Sequence, residues 1–300
     1  MMSMDVLQAL EDTARTTLER VGPSVVSIGR SGRGTGYVVG EGRVLTNAHN
    51  LRDRTTQVGF TDGRRVQGNV VGSDLDGDLV VLDVDTGDAP ALVWGADAAR
   101  TGDVVLSVTA GGHLLRVTWG QVTGVERGFR GPRGRPVHGA LEHTAPAARG
   151  SSGAPLLDRA GGVVGVSTHR LEHGFYLARA ADAALQEAVA GMQQGRRLEP
   201  VRLGVALAPS DVARRLRQAV GLADREGVLV RTVVDGSPAD AAGLAVGDLL
   251  VGAGGRALHT PDDLIAVLDG LRPGDELRIE VIRGESPTEV TVRFEADDGS

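Results

Sequence analysis

Between Val25 and about Ala180 the chain breaks into short β-rich runs set apart by glycine, and this punctuation restricts its fold more than any other feature. The clearest runs are Val25–Ile28, Tyr37–Val39, Val66–Val71, Leu79–Val84, Val104–Thr109, Val117–Val125 and Val163–Thr168. Many short strands at regular spacing, with turn residues between them, predict an all-β barrel or sandwich. Helical spacing flanks this region. Val6, Leu7, Leu10, Ala14 and Leu18 predict a short amphipathic helix over residues 4–20. Ala184, Leu185, Ala188, Val189 and Met192 predict another over Ala181–Met192, and Gln193-Gln194-Gly195-Arg196-Arg197 follows as a polar linker.

Chemistry gathers at Gly150-Ser151-Ser152-Gly153-Ala154-Pro155. A serine hydroxyl is a poor nucleophile unless a histidine takes its proton and an acid orients that histidine. Backbone N–H groups must also hold the oxyanion that develops. Small residues around Ser152 let the chain turn sharply, with the Gly150 and Ser152 N–H groups pointing into one space. Upstream, Leu45-Thr46-Asn47-Ala48-His49 offers the histidine, and Asp74, Asp76 and Asp78 offer acids. Taken alone, Ser152 reads as a turn serine and His49 as a core histidine. Only their joint occurrence argues for catalysis.

The order His, Asp, Ser is that of the chymotrypsin fold. Further segments carry the likeness: Glu19 to Ile28, Gly34-Thr35-Gly36-Tyr37-Val38-Val39, Thr46 to His49, and Gly63-Arg64-Arg65-Val66 leading into Val70 to Asp74. Together they resemble the HtrA (Deg) family, a chymotrypsin-like double β-barrel protease followed by an α+β PDZ domain. The likeness runs from about residue 17 to 295. The acid that directly precedes the apolar run Leu79–Leu82 matches the family pattern, which selects Asp78. The resemblance implies an N-terminal helix at 1–20 able to serve oligomerisation, a trypsin-like protease domain at 21–192, a linker at 193–200 and a PDZ domain at 201–295. It implies His49, Asp78 and Ser152 as catalytic residues, with an oxyanion hole at Gly150, Ser151 and Ser152. Pro146, six residues before the nucleophile, falls at the floor of the specificity pocket. Val166, Ser167, Thr168, Gly174, Phe175 and Tyr176 fall on its walls. With no carboxylate there, small or medium aliphatic residues are the expected acyl-side choice.

After the linker, Gly227 to Val230, Ser237 to Leu244, Gly247 to Val251, Pro261 to Leu268 and Leu277 to Arg283 carry the PDZ likeness. Leu203, Gly204 and Val205 are implied as its carboxylate-binding loop, and Leu264, Val267 and Leu268 as its apolar slot. A peptide ending in apolar residues would add there as a strand. The expected activity is ATP-independent endopeptidase action on unfolded or damaged protein, in a homotrimer, with no metal or cofactor. The family's usual Gly-Asn-Ser-Gly-Gly-Pro reads Gly150-Ser151-Ser152-Gly153-Ala154-Pro155 here, and Ala148-Arg149 replaces its Asn-Pro. A PDZ adaptor or chaperone with a weakly catalytic barrel is therefore the competing reading.

Composition narrows the rest. A net charge of −7 gives nucleic acid no reason to bind, and every one of the 32 Lys-or-Arg residues is arginine. With no cysteine, disulfides and thiolate metal sites are excluded. Residues 1–20 lack a basic segment followed by an apolar stretch, so the sequence reads as cytoplasmic, with the cell envelope as the alternative by resemblance. His169-Arg170-Leu171-Glu172-His173 fits an inverted zinc motif, but it joins two strands and reads as a loop. Asp74-Leu75-Asp76-Gly77-Asp78 echoes a calcium loop but has Leu79 where an EF-hand needs glycine.

Overall fold

A computed structural model describes residues 6–30, 32–111, 114–131, 134–171, 174–197 and 201–295. Its contacts divide the chain into two units, Met1–Glu199 and Pro200–Ser300. In the first, helix α1 (Val6–Val21) leads into a closed six-stranded barrel. The barrel comprises β1 (Val25–Ile28), β2 (Gly34–Gly40), β3 (Arg43–Asn47), β4 (Thr55–Gly59), β5 (Arg65–Asp74) and β6 (Leu79–Asp83). A second closed barrel follows with β7 (Val104–Gly111), β8 (Leu114–Arg130), β9 (Pro136–His143), β10 (Pro155–Leu157), β11 (Val163–Arg170) and β12 (Tyr176–Ala180). Both close in the same order, so that the fourth strand pairs with the first. Closure leaves neither sheet with an open edge.

Three cores hold this unit. Val26, Ile28, Val38, Val44, Val58, Val80 and Leu82 fill the first barrel, and Val105, Val122, Leu141, Leu156 and Ala178 fill the second. Between the barrels, Tyr37, Leu45, Leu79 and Val81 meet Leu106, Val108, Leu157 and Val166. Helix α2 (Ala183–Gln193) adds Leu185, Val189 and Met192 to that middle layer. Asp182 caps it, accepting the Leu185 N–H at 2.8 Å. The Ala14 and Leu18 side chains of α1 pack on the same layer, and Thr17 is buried. Leu18 is therefore partly covered within its own chain. Leu7 lies outside the residues whose side chains are described. The stretch expected as a linker starts as part of the barrel: the Ser73 N–H donates to the Arg196 carbonyl at 3.3 Å, and Ser73 pairs with Arg197.

The second unit is a six-stranded sheet with three helices. Strands β13 (Val205–Ala208), β14 (Val228–Val233), β15 (Leu249–Ala253), β17 (Glu276–Arg283) and β18 (Ser286–Arg293) lie in the order β13-β14-β15-β17-β18, and β16 (Arg256–Ala257) pairs with β15. Helices α3 (Ser210–Ala219), α4 (Pro238–Ala241) and α5 (Pro261–Leu268) complete it. Thr260 and Asp263 form a reciprocal capping box at the start of α5. Leu264 and Leu268 of α5 join Leu203, Val228, Val230, Leu250, Ile279 and Val292 in the core.

Candidate active site

His49 stands in the short turn after β3, with 38% of its side chain exposed, while the Asp78 side chain beneath it is fully buried. Asp78 opens β6 with φ at +62°, a left-handed conformation that a non-glycine residue holds only where its surroundings fix it. The fixing contacts are specific. Asp78 Oδ2 meets His49 Nδ1 at 2.6 Å, Oδ1 accepts the His49 backbone N–H at 3.0 Å, and the Asp78 carbonyl accepts Asn47 Nδ2 at 2.8 Å. Thr168 Oγ1 donates to Oδ2 at 3.4 Å. An imidazole bound through Nδ1 in this way keeps Nε2 for proton transfer. The rival acids are engaged elsewhere. Asp74 takes Arg179 at 3.0 Å and the Gly77 N–H at 2.8 Å, and Asp76 lies 3.9 Å from Arg135.

Ser152 sits in the loop before β10, and that loop is anchored from the first barrel. The Thr35 hydroxyl donates to the Gly150 carbonyl at 2.7 Å. The Ser152 carbonyl accepts the Thr35 N–H at 2.9 Å and Asn50 Nδ2 at 2.8 Å. Two glycines make this approach possible. A Cβ on Gly34 would overlap the Asn50 amide, and one on Gly153, where φ is +84°, would overlap the Thr35 carbonyl. Ser152 Oγ donates to the Thr168 carbonyl at 3.4 Å, so β11 touches both Ser152 and Asp78. The sequence reading missed the anchoring by Thr35 and Asn50. The signal was present, since both flank the Gly34 and His49 motifs, but a hydrogen bond across 102 residues leaves no local pattern.

A cavity of about 390 Å³ opens beside Ser152, lined by Ala147, Ala148, Arg149, Gly150, Ser151, Ser167, Thr168, Tyr176, Leu177 and Arg33. None of these is acidic. Several expected residues need correction. The Ser151 N–H donates to the Ala148 carbonyl at 3.1 Å, so it is spent within the loop and is not available to an oxyanion. Val166 is buried in the layer between the barrels and is not among the residues that line this cavity. Pro146, expected at the pocket floor, is exposed and accepts Thr118 Oγ1 through its carbonyl at 2.9 Å, and its neighbour Ala147 lines the cavity instead. The Leu171 N–H donates to the Phe175 carbonyl at 2.9 Å, and neither Gly174 nor Phe175 is among the residues that line the cavity. Glu172 and His173 of the zinc-like motif lie outside the described residues.

The model of the trypsin-like peptidase domain matches residues 34–166, and that of the PDZ domain residues 201–294. "Putative serine protease HhoB" of Synechocystis sp. is 31% identical over 280 residues, covering 87% of this chain and 66% of its own length. "Protease Do-like 1, chloroplastic" of Arabidopsis thaliana is 27% identical over 290 residues, covering 88% of this chain and 64% of its own. The chain belongs to the HtrA family. It spans less than two thirds of the length of the curated HtrA relatives just described. Among solved structures, "HtrA-type protease AlgW with decapeptide" superposes with a TM-score of 0.78 at 23% identity, covering 96% of this chain and 99% of that one, which shows the shared fold.

In this HtrA chain the PDZ residues form one cluster. Strand β13 is the edge of its sheet, and Gly204 just before it takes φ +84°. Leu203, Leu264 and Leu268 are buried in the core of this unit, and Val205 and Val267 are partly buried against it.

Proposed function

We propose that this chain is an ATP-independent serine endopeptidase acting on unfolded or damaged protein, with a PDZ domain that binds apolar C-termini. The observation that carries the reading is the doubly bonded His49–Asp78 pair, next in sequence to Asn50, which with Thr35 anchors the Ser152 loop. In this mechanism His49 Nε2 takes the Ser152 proton as Oγ attacks the scissile carbonyl, and the Gly150 and Ser152 N–H groups receive the oxyanion. His49 returns the proton to the leaving amine, and water then releases the acyl group from Ser152 by the same route. Asp78 holds the imidazole in one tautomer and stabilises it once charged. The acyl-side residue enters a cavity without a carboxylate, which favours small or medium aliphatic side chains over Lys and Arg.

Labelling with a fluorophosphonate tests the reading, because only a working Ser–His pair reacts quickly. Labelling at Ser152, with a loss of about 10⁴-fold or more in casein hydrolysis for Ser152→Ala, supports it. Hydrolysis that survives Ser152→Ala, or a full chain that stays unlabelled, overturns it in favour of a binding protein.

A further inference from the structure

A second cleft of about 700 Å³ lies on the first barrel, next to the catalytic cavity. Arg30, Arg33, Arg52 and Arg65 line it, with Asp53 as the lone acid and Asn50 on its catalytic side. Arg33 borders both cavities, and Asn50 holds the carbonyl of Ser152. None of the four guanidinium groups forms an ion pair or hydrogen bond with a described residue. Other arginines find acids, among them Arg43 with Asp83, Arg64 with Asp62, Arg179 with Asp74, Arg214 with Asp224 and Arg283 with Asp248. Four permanently charged, unpaired cations in one cleft repel one another within a chain whose net charge is −7. Binding a carboxylate removes that repulsion, and the guanidinium fork matches a carboxylate in two bonds.

Direction follows from the two walls. The cavity that takes the acyl-side residue belongs to the second barrel, around Ala147 to Ser152 and Ser167 to Thr168. A polypeptide laid across Ser152 therefore leaves over Arg33, and the segment that departs with the new amine meets the arginines. We propose that this cleft is a subsite for Asp and Glu residues on the leaving-group side of the scissile bond, so that the protein selects chains in which an apolar residue is followed by an acidic stretch. The inference rests on the endopeptidase reading for its orientation, but binding at the cleft can be measured without catalysis.

Two fluorescein-labelled peptides, amidated to keep them off the PDZ domain, share an apolar segment followed by Glu-Glu-Glu or Gln-Gln-Gln. Binding to the full-length Ser152→Ala protein is read by anisotropy at 50 and 300 mM salt. The Glu peptide is expected to bind about tenfold more tightly at low salt, with the advantage shrinking at high salt as exposed ion pairs are screened. The doubly substituted Arg52→Gln/Arg65→Gln protein, checked for an unchanged melting temperature, is expected to lose most of that preference. Equal affinity for the two peptides, or a preference that survives the double substitution, overturns the subsite. Cleavage of the same peptides by the unsubstituted protein then separates the two readings. A Glu preference in binding without any cleavage or fluorophosphonate labelling overturns the endopeptidase reading and leaves an acidic-segment binding cleft standing. A preference in both supports both.

Discussion

His143 lies on the inner face of the second barrel, its ring stacked on Tyr176 with centroids 5.8 Å apart. Neither ring nitrogen has a hydrogen-bond partner among the described residues, and burial pushes its pKa down to about 4. The unfolded chain takes up a proton near pH 6.5 and the folded one does not, so between pH 6.5 and 4 the unfolded state binds more protons. Stability falls as pH drops through that window, by roughly 3 kcal/mol in all. Urea unfolding at pH 7 and pH 4.5 should show this loss, and His143→Leu should flatten it; an equal slope in the variant would sink the assignment. Asn50 and Thr35 make a different prediction. They touch the back of the nucleophile loop, so Asn50→Ala should cut kcat by about 10–100-fold while KM moves little, as for a group that shapes the transition-state site. A change confined to KM, or to melting temperature, would place Asn50 outside catalysis.

At the scale of elements, Asp248 is buried at the start of the PDZ strand β15 and is held by Arg283 of β17, with bonds of 2.8 and 2.7 Å. Burial works to raise its pKa, but the bonds from Arg283 and the Ala245 N–H outweigh it and hold the carboxyl below its usual range. This pair therefore contributes stability above about pH 4 that is lost as pH falls through the depressed value. Arg283→Leu leaves the carboxylate buried and unpaired. A loss of about 2–3 kcal/mol should follow, near the low end for a broken buried pair because Arg283 is half exposed. Calorimetry of the full chain with and without the substitution measures it. Such ties explain what the sequence could convey about the fold. Strands filled by Val and Leu, and helix α5 with its Thr260 and Asp263 cap, announce themselves through local pattern. Helix α3 does not, since Arg214, Arg215 and Arg217 crowd its core-facing signal and only Ala213 and Arg217 are buried. The motifs around His49, Asp78 and Ser152 stood out in the sequence, whereas the cavity walls did not, because whether Val166 or Ala147 faces the cavity depends on how β11 and the loop before Ser152 fold against each other.

The whole molecule sets where it can be cut and how it can be controlled. A variant ending at Arg197 retains the pairing of Ser73 with Arg196 and Arg197, whereas one ending at Gln194 loses it. The shorter variant should melt about 2–4 °C lower, the shift expected for about 1 kcal/mol in a unit of this size. Equal melting temperatures would show that the pairing adds nothing. In the full chain, a peptide ending in apolar residues should raise cleavage of a short fluorogenic substrate only if it binds the active arrangement better than the resting one. Stimulation that vanishes in the variant ending at Arg197 supports such control; competition without stimulation would reduce the PDZ domain to a tether. The anchoring of the Ser152 loop by Thr35 and Asn50 also bears on how the chain survives its own birth. Synthesis delivers His49 and Asp78 well before Ser152, and the loop that carries Ser152 is held by Thr35 and Asn50 of the first barrel. On the endopeptidase reading, a half-made or half-unfolded copy would therefore lack a competent hydroxyl, and its neighbours would be spared self-digestion until the first barrel is in place.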